Sequence, residues 1–418
     1  VTGVQTCALP ICEDARQTLT LSPSMSKPFP VSKSVQRMQT SSTFKAMQAA
    51  ANLREKGVDV IDLTLGEPDF PTPDFIKRLA WEGLEKGVTR YTPTAGMRSF
   101  TQAVEHFYGE RFGTAFSAAE VAAACGGKQA LFNAICALVG PGDEVLVPKP
   151  YWVTFPEIVN FTGAKNVFIE TAETDFILTA EQVKAAITDK TKLLILNSPS
   201  NPSGRVVPAS EIKKIIEVCA NRGIYVVADE CYLFFVYPPA EVFTSASVDE
   251  KLREFVCVAG SFSKTYAMTG WRIGYTIAPT NWTKEILKLQ GHSASHPTSF
   301  VQYACAEALE RPAESLAAVG SMLEKYKERR DWLIPALNEV PGFKCAMPEG
   351  AFYAFIDVRG LLGDRFATSE DVSAHLLGHA HTVLTDGAGF GAEGYLRLSY
   401  AASLEKLKDA VERIKTAL

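Results

Sequence analysis

The chain has 418 residues, of which 47% are hydrophobic and 21% are charged, a balance typical of a globular enzyme with two or three domains. Its formal net charge of −5 argues against a nucleic-acid partner. No apolar run is long enough to cross a membrane, so we expect no membrane partner either.

The first residues do not resemble the start of a domain. Residues 1–12 lack the charged start and the long apolar core of a signal peptide, and they resemble translated sequencing-adapter sequence. Met25 offers a plausible start of translation. We therefore expect residues 1–27 to be a non-native or disordered extension, with the foreign part reaching to about Ser24.

The elements that follow are short and alternate along the chain. Helices are predicted at residues 44–54, 73–86, 98–112, 128–139, 180–186 and 210–221. Strands are predicted at residues 58–65, 145–147, 166–169, 193–196, 225–228, 255–258 and 273–277. This alternation predicts an α/β fold, a mainly parallel sheet flanked by helices, with ligands bound beyond the carboxyl ends of the strands.

The composition changes after Trp282. The pattern is helical to about Leu337, and short strands and helices continue to the end of the chain. We therefore expect a large domain over residues 66–305 and a smaller α+β domain over residues 306–418. An N-terminal segment, residues 28–65, is expected to join the small domain.

The first motif that bears on chemistry is a pair of glycines before a helix. Gly126 and Gly127 precede Lys128, where the predicted helix begins. Glycines let the backbone approach an anion, and a helix N-terminus offers unpaired N–H groups and a partial positive charge of roughly +0.5. The stretch lacks the Walker pattern, and the same pair is also common in ordinary turns. It predicts a phosphate-binding loop.

Four side chains that suit an aromatic ligand follow predicted strands. Asp229 can hold a ring nitrogen in its protonated form, because the opposite charges attract. Tyr232 and Asn201 can donate hydrogen bonds to a phenolic oxygen, and Trp152 can stack on a ring. Each residue alone is explained equally well by packing, by a turn or by an exposed loop.

The stretch of residues 261–272 follows a buried apolar run. Lys264 stands at the end of that predicted strand, where loss of water and nearby cations lower the pKa of an amine and make it a Schiff-base nucleophile. Ser261 and Arg272 suit a phosphate dianion, the serine as a donor and the arginine as a fork. The alternative is an ordinary loop with a half-buried lysine.

The C-terminal part holds one further candidate and two patterns that we discount. Arg397 lies on an alternating strand pattern, and its guanidinium suits a substrate carboxylate unless the strand is an exposed edge. Residues 387–392 fit the dinucleotide fingerprint, but no helix follows them. His375, His379 and His381 lack an acidic or cysteine ligand, so we predict a solvated helix face and no metal site.

Together these motifs resemble, in order and spacing over residues 35–415, the class I aminotransferases, which have the fold called fold type I and use pyridoxal 5'-phosphate. The similarity is closest to the gamma subgroup of aspartate aminotransferases, known from bacteria and archaea. The resemblance implies that Lys264 forms the Schiff base and carries the proton, with Asp229 and Tyr232 as further catalytic residues. It implies a cofactor site of Gly127, Lys128, Trp152, Asn201, Asp229, Tyr232, Ser261, Lys264 and Arg272, joined by Tyr91 from a partner subunit.

The resemblance also implies a substrate site. Arg397 and the backbone of Gly66 would bind the α-carboxylate. Lys128, with Ser41 and Thr43, would bind the distal carboxylate, since a cation there suits a dicarboxylic substrate. Trp152 and Asn201 would complete the site.

The activity implied is a ping-pong transamination between L-aspartate and 2-oxoglutarate by a cytoplasmic homodimer, whose other partners are amino acid and keto acid substrates. Prephenate, which carries a second carboxylate, is a competing substrate. Aromatic and kynurenine-type aminotransferases are similar too, but kynurenine and glutamine enzymes usually carry an aromatic residue where Lys128 stands. A pyridoxal phosphate-dependent C–S lyase or cyclopropane synthase would share the cofactor site.

A transcriptional regulator is the rival that is not an enzyme. It would need a separate N-terminal helix-turn-helix domain, which we do not expect here. The nine cysteines are scattered without a C-x-x-C pair, so we expect them to be reduced, as in a cytosolic protein.

Overall fold

The computed structural model describes residues 29–39 and 43–418, and residues 43–47 and 49 only as backbone. The predicted extension of residues 1–27 and the predicted substrate residue Ser41 lie outside this part of the chain, as does the side chain of Thr43. The α-helices are α1 (Lys33–Gln36), α2 (Thr43–Glu55), α3 (Asp74–Glu85), α4 (Arg98–Phe112), α5 (Gly127–Cys136), α6 (Thr154–Thr162), α7 (Ala180–Ala186), α8 (Ala209–Ala220), α9 (Glu250–Arg253), α10 (Phe262–Thr265), α11 (Thr280–Gly291), α12 (Ser299–Leu309), α13 (Pro312–Asn338), α14 (Ser369–His375) and α15 (Leu404–Ala417). The strands are β1 (Ile61–Asp62), β2 (Val121–Ala124), β3 (Glu144–Pro148), β4 (Lys165–Ile169), β5 (Thr191–Asn197), β6 (Tyr225–Asp229), β7 (Val256–Ser261), β8 (Gly274–Ile277), β9 (Lys344–Cys345), β10 (Tyr353–Asp357), β11 (Thr382–Val383), β12 (Thr385–Asp386) and β13 (Tyr395–Ser399).

The larger sheet has seven strands in the order β2-β8-β7-β6-β5-β3-β4. The five strands from β7 to β4 are parallel, and β8 runs antiparallel to both of its neighbours. In β5 the four consecutive residues Leu193, Leu194, Ile195 and Leu196 are all buried. Successive strand residues point to opposite faces, so both faces of this sheet are covered by helices. The predicted mainly parallel sheet is confirmed.

Two strand predictions differ from the structure. The strand expected at residues 58–65 is only two residues long, because the chain there binds two different strands. Leu63 N donates to Val383 O at 3.0 Å, while Leu63 O accepts from Ser399 N at 2.8 Å. Strand β2 was not predicted from the sequence, because its alanine-rich residues have a weak preference for strands.

The smaller sheet has four antiparallel strands in the order β12-β13-β10-β9, with α13 and α14 in contact with it. This arrangement agrees with the predicted smaller α+β domain. The predicted limit between residues 305 and 306 falls inside α12. We propose that the small domain begins after this helix, with α13.

An ion pair holds the loop that follows β1. Arg329 on α13 donates to both carboxylate oxygens of Asp69, at 2.7 and 2.9 Å, and its guanidinium lies over the rings of Phe70 and Tyr326, at 5.2 and 5.4 Å. Arg329 is buried. Asp69 is exposed, so it is the loss of Asp69 that would be costly, because the Arg329 guanidinium would be left buried without its counterion. The loop around Gly66 is therefore held in one position.

No helix in the described part of the chain is both long and apolar enough to cross a membrane. All seven cysteines found there are free thiols.

Candidate active site

The carboxyl ends of three neighbouring parallel strands meet at one edge of the larger sheet. Asn197 ends β5, Asp229 ends β6 and Ser261 ends β7. Asn197 lies opposite Asp229 in the sheet register, and its Nδ2 donates to the Asp229 carbonyl oxygen at 3.1 Å. Because parallel strands end at the same edge, polar residues from distant parts of the chain face one site.

Lys264 lies just beyond this edge. It belongs to the short helix α10, whose first turn is capped by Ser261, since Ser261 Oγ accepts from Ser263 N at 3.1 Å. Lys264 Nζ donates to the carbonyl oxygen of Gly66 at 2.5 Å. Burial lowers the pKa of the Lys264 amine, and the nearby guanidinium of Arg272 lowers it further. A larger fraction of the amine is therefore neutral and nucleophilic near neutral pH.

Asp229 is the carboxylate at the centre of the edge. It is buried, and burial raises its pKa to about 6, although the N–H of Cys231 and the charge of Lys264 oppose that shift. Cys231 N donates to Oδ1 at 3.0 Å. A buried carboxylate with a single backbone donor attracts a proton-bearing partner, and the protonated nitrogen of an aromatic ring fits this requirement.

The glycine pair and Arg272 form a cradle that side chains would fill. A Cβ on Gly126 would lie 2.5 Å from Arg272 Nη2, and a Cβ on Gly127 would lie 3.1 Å from Ser261 Cβ. Gly126 also has φ of +85°, which side chains disfavour. The first amides of α5, at Gly127 and Lys128, have no partner within the helix. This cradle has the donors and the space that a phosphate requires.

Lys128 projects from the same helix start toward an aromatic ring. Its Nζ lies 5.0 Å from the centre of the Trp152 ring, which packs edge-on against Phe155. Burial lowers the pKa of Lys128, and the positive charge of Arg272 lowers it further. A cation over tryptophan gains about 1 kcal/mol, so the two predicted site residues hold each other in place.

Arg397 is buried on β13 and has an unused donor. Its Nη1 donates to Asn201 Oδ1 at 2.9 Å, and its Nη2 donates to the carbonyl oxygen of Thr64 at 2.7 Å. Its Nε has no hydrogen-bond partner among the described residues. Burial lowers the pKa of Arg397. A buried guanidinium with an unpaired N–H is a binding site for a carboxylate.

Tyr232 and Asn201 lie on the same side of the site. The Tyr232 hydroxyl lies 2.6 Å from the hydroxyl of Tyr353, and burial raises the pKa of both phenols. Asn201 is positioned by its own backbone N–H, which donates to Asn197 Oδ1 at 2.9 Å. Both predicted residues therefore enter the site already held by residues that the sequence analysis did not select.

The structure brings together most of the predicted site residues. They are Gly66, Gly127, Lys128, Trp152, Asn201, Asp229, Tyr232, Ser261, Lys264, Arg272 and Arg397. Tyr91 is different, since it is 89% exposed and packs edge-on against His296 at 5.6 Å. Thr43 opens α2, and its side chain and Ser41 lie outside the described part of the chain.

Tyr353, Asn197 and the pair Arg329–Asp69 were not predicted from the sequence. Tyr353 begins β10, the strand that pairs with the strand of Arg397. The sequence signal for this strand is the apolar run Tyr353–Ile356, which is typical of a buried strand. Arg329 and Asp69 left no local pattern, because 260 residues separate them in the chain.

The chain matches a family model described as aminotransferase class I and II over residues 58–414. It is 40% identical over 385 residues to a probable aspartate/prephenate aminotransferase of Aquifex aeolicus (strain VF5), covering 92% of this chain and 97% of that protein. It is 39% identical over 388 residues to an aspartate aminotransferase of Geobacillus stearothermophilus, covering 92% and 98%.

A solved structure has the same fold. The aspartate aminotransferase from Thermus thermophilus with maleate superposes with a TM-score of 0.88 and 36% sequence identity, and the match covers 93% of this chain and 100% of that chain.

The reactivity of Lys264 tests the electrostatics of this site. In protein freed of any bound ligand, we expect formaldehyde and cyanoborohydride to methylate Lys264 at a lower pH than Lys86. Burial lowers the pKa of Lys264, whereas the hydrogen bond to Glu82 raises the pKa of Lys86, so the neutral amine of Lys264 appears first as pH rises. Peptide mass spectrometry over a pH series measures the methylation of both lysines. Methylation of Lys86 at a lower pH than Lys264 would contradict the prediction.

Proposed function

Because the chain belongs to the class I and II aminotransferases, enzymes that use pyridoxal phosphate, we propose that it transfers the amino group of L-aspartate to 2-oxoglutarate. The observation that carries this proposal is a pair of cations in one site. Arg397 is buried, and its Nε–H is unpaired within the described part of the chain; Lys128 lies at the start of α5, with its Nζ over the ring of Trp152. Two separate cations suit a substrate with two carboxylates. The names of the relatives support the same choice.

The residues fit the cofactor part by part. We propose that the amides of Gly127 and Lys128, the Ser261 hydroxyl and the Arg272 fork hold its phosphate, and that Asp229 holds its ring nitrogen. Trp152 would stack on the ring, and Tyr232 and Asn201 would donate to its phenolic oxygen. When bound, pyridoxal phosphate is an electron sink that stabilises negative charge at the substrate α-carbon.

Lys264 is the proposed acid and base of the reaction. Burial lowers the pKa of its amine, so Nζ would be the group that holds the cofactor and, once a substrate amine has taken its place, would accept the α-proton. The carbonyl of Gly66 holds Nζ at 2.5 Å and fixes the direction from which the amine acts. Lys264 would then return the proton to a different atom, and hydrolysis by water would release the keto acid and complete the first half-reaction. The second half-reaction runs these steps in reverse with 2-oxoglutarate, which predicts ping-pong kinetics.

The substrate contacts follow from the same geometry. Arg397, oriented by Asn201, would bind the α-carboxylate together with the backbone of Gly66. Lys128 would bind the distal carboxylate, and we propose Ser41 and Thr43 as further donors to it. Prephenate is the second candidate substrate, because relatives from Aquifex aeolicus and Cereibacter sphaeroides are named aspartate/prephenate aminotransferases. It also presents a second carboxylate.

We further propose that the active form is a homodimer. Tyr91 is a large aromatic residue that is almost fully exposed, and in this proposal it reaches the phosphate of the partner subunit. A mass from sedimentation equilibrium that is twice the mass of the chain would support the dimer, and the mass of a single chain would refute it.

The free cysteines of the described part favour a reducing compartment such as the cytoplasm.

The proposed function is tested by absorbance of the purified protein loaded with pyridoxal phosphate. We expect a visible band that disappears when L-aspartate is added without a keto acid, and that returns on adding 2-oxoglutarate. If the band disappears only with prephenate-derived or aromatic amino donors, one of these donors and not aspartate is the substrate. Continuous release of pyruvate without any keto acid would indicate a C–S lyase instead.

Substitution of Lys128 tests the choice of a dicarboxylic substrate. We expect Lys128→Met to lower kcat/KM for aspartate about 10- to 100-fold, the value of one charged hydrogen bond, and to change little for an amino donor without a distal charge. Lys149→Met is the matched control, because Lys149 Nζ also lies over an aromatic ring, 5.4 Å from the centre of Phe168, but outside the proposed site. Equal losses for both amino donors would contradict a role in specificity.

A further inference from the structure

Tyr353 lies where three parts of the site meet, and none of the roles above uses it. Its hydroxyl is 2.6 Å from the hydroxyl of Tyr232. The guanidinium of Arg397 lies 4.7 Å from the centre of its ring. A Cβ on Gly66 would lie 2.6 Å from its hydroxyl oxygen, so Tyr353 also touches the residue whose carbonyl holds Lys264. The side chain is fully buried.

The direction of the hydrogen bond between the two tyrosines follows from simple counting. A phenol has one hydrogen to donate and two lone pairs that accept. If the Tyr232 hydroxyl donates to the phenolic oxygen of the cofactor, it can only accept from Tyr353. Tyr353 must then donate to Tyr232. The positive charge of Arg397 over its ring favours this, because it stabilises negative charge on the Tyr353 oxygen and makes the phenol a stronger donor.

We propose that Tyr353 is a positioning residue: its hydroxyl donates to Tyr232, directs the Tyr232 hydroxyl at the cofactor, and couples that contact to Arg397. The inference rests on the proposed function, because it requires pyridoxal phosphate in the site. When a substrate carboxylate pairs with Arg397, part of the positive charge above Tyr353 is neutralised. Binding of the α-carboxylate is thereby sensed at the phenolic oxygen of the cofactor.

The groups that face the two tyrosines come from different elements. The Cys231 thiol follows β6, and Arg397 lies on β13; both act on the two phenols. Lys264, on α10, donates to the carbonyl of Gly66, the residue that the Tyr353 hydroxyl also approaches. These groups remain unchanged when only the Tyr353 hydroxyl is removed. A change in the titration of the cofactor would then report the loss of one hydrogen bond.

The test is a pH titration of the visible band of the holoenzyme. A hydrogen bond donated to the phenolic oxygen withdraws negative charge from it, and that charge holds the neighbouring proton of the cofactor–lysine linkage. Without the Tyr353 hydroxyl, the hydrogen bond from Tyr232 to the phenolic oxygen is weaker, and the oxygen holds the proton more strongly. We therefore expect Tyr353→Phe to raise the midpoint of the titration by about half a pH unit. We expect kcat to fall with little change in KM for aspartate.

Two further variants separate positioning from packing. Tyr232→Phe should raise the midpoint more, and adding Tyr353→Phe to it should produce no further rise, because the chain of hydrogen bonds is already broken. Replacing Tyr353 by 3-fluorotyrosine keeps its size and makes it a stronger donor, so the midpoint should fall. Tyr108→Phe is the matched control: it removes one hydroxyl of another buried tyrosine pair, 3.0 Å from Tyr275, and should leave the midpoint unchanged.

The possible outcomes are distinct. An unchanged midpoint in Tyr353→Phe or with 3-fluorotyrosine, even with a lower melting temperature, would overturn the inference and leave Tyr353 as a packing residue. Additive shifts in the double variant would also overturn it, because Tyr353 would then act without Tyr232. A wild-type protein that shows no visible band with pyridoxal phosphate would instead refute the proposed function itself.

Discussion

The site depends on the burial of charge between the carboxyl edge of the parallel sheet and a strand of the smaller sheet. Asp229, Lys264, Lys128 and Arg397 all have pKa values displaced from their ordinary range, and in each case loss of water is the largest cause. Each shift disfavours the charged form, which means that each group is stabilised when a ligand of opposite charge or a hydrogen-bonding partner arrives. Several such groups gathered in one place are typical of a site that a ligand completes.

The rest of the structure serves to hold these groups in place. The hydrophobic strands of the larger sheet fix the positions of Asp229 and Ser261, because strand ends follow the register of the sheet. The smaller sheet contributes Arg397 and Tyr353, which lie on paired strands. The ion pair between Arg329 and Asp69 holds the loop of Gly66 beside Arg397 and Tyr353. The site is therefore assembled from three separate regions of the chain.

The sequence predicts the contribution of each strand better than the contacts between strands. Lys264, Asp229 and Arg272 follow from local patterns, because a strand, its end and the next turn are adjacent in the chain. Tyr353 does not, since its hydroxyl partner Tyr232 is 121 residues away, and Arg397 reaches the carbonyl of Thr64 across 333 residues. Long-range pairs of this kind leave no periodicity, and the alanines of β2 left too weak a preference to predict that strand.

The neighbouring carboxylates Asp229 and Glu230 show how the fold selects one acid for the ligand. Both are buried, and burial raises the pKa of Glu230 to about 7 and that of Asp229 to about 6. Consecutive residues of an extended chain point in opposite directions, so the two carboxylates have different surroundings. Glu230 accepts hydrogen bonds from Thr244 Oγ1 at 2.7 Å and from Ser245 N at 2.6 Å, one on each oxygen. Among the residues that the structure describes, the Asp229 carboxylate accepts only from the N–H of Cys231, so we propose Asp229 as the acid that is left to pair with the ligand.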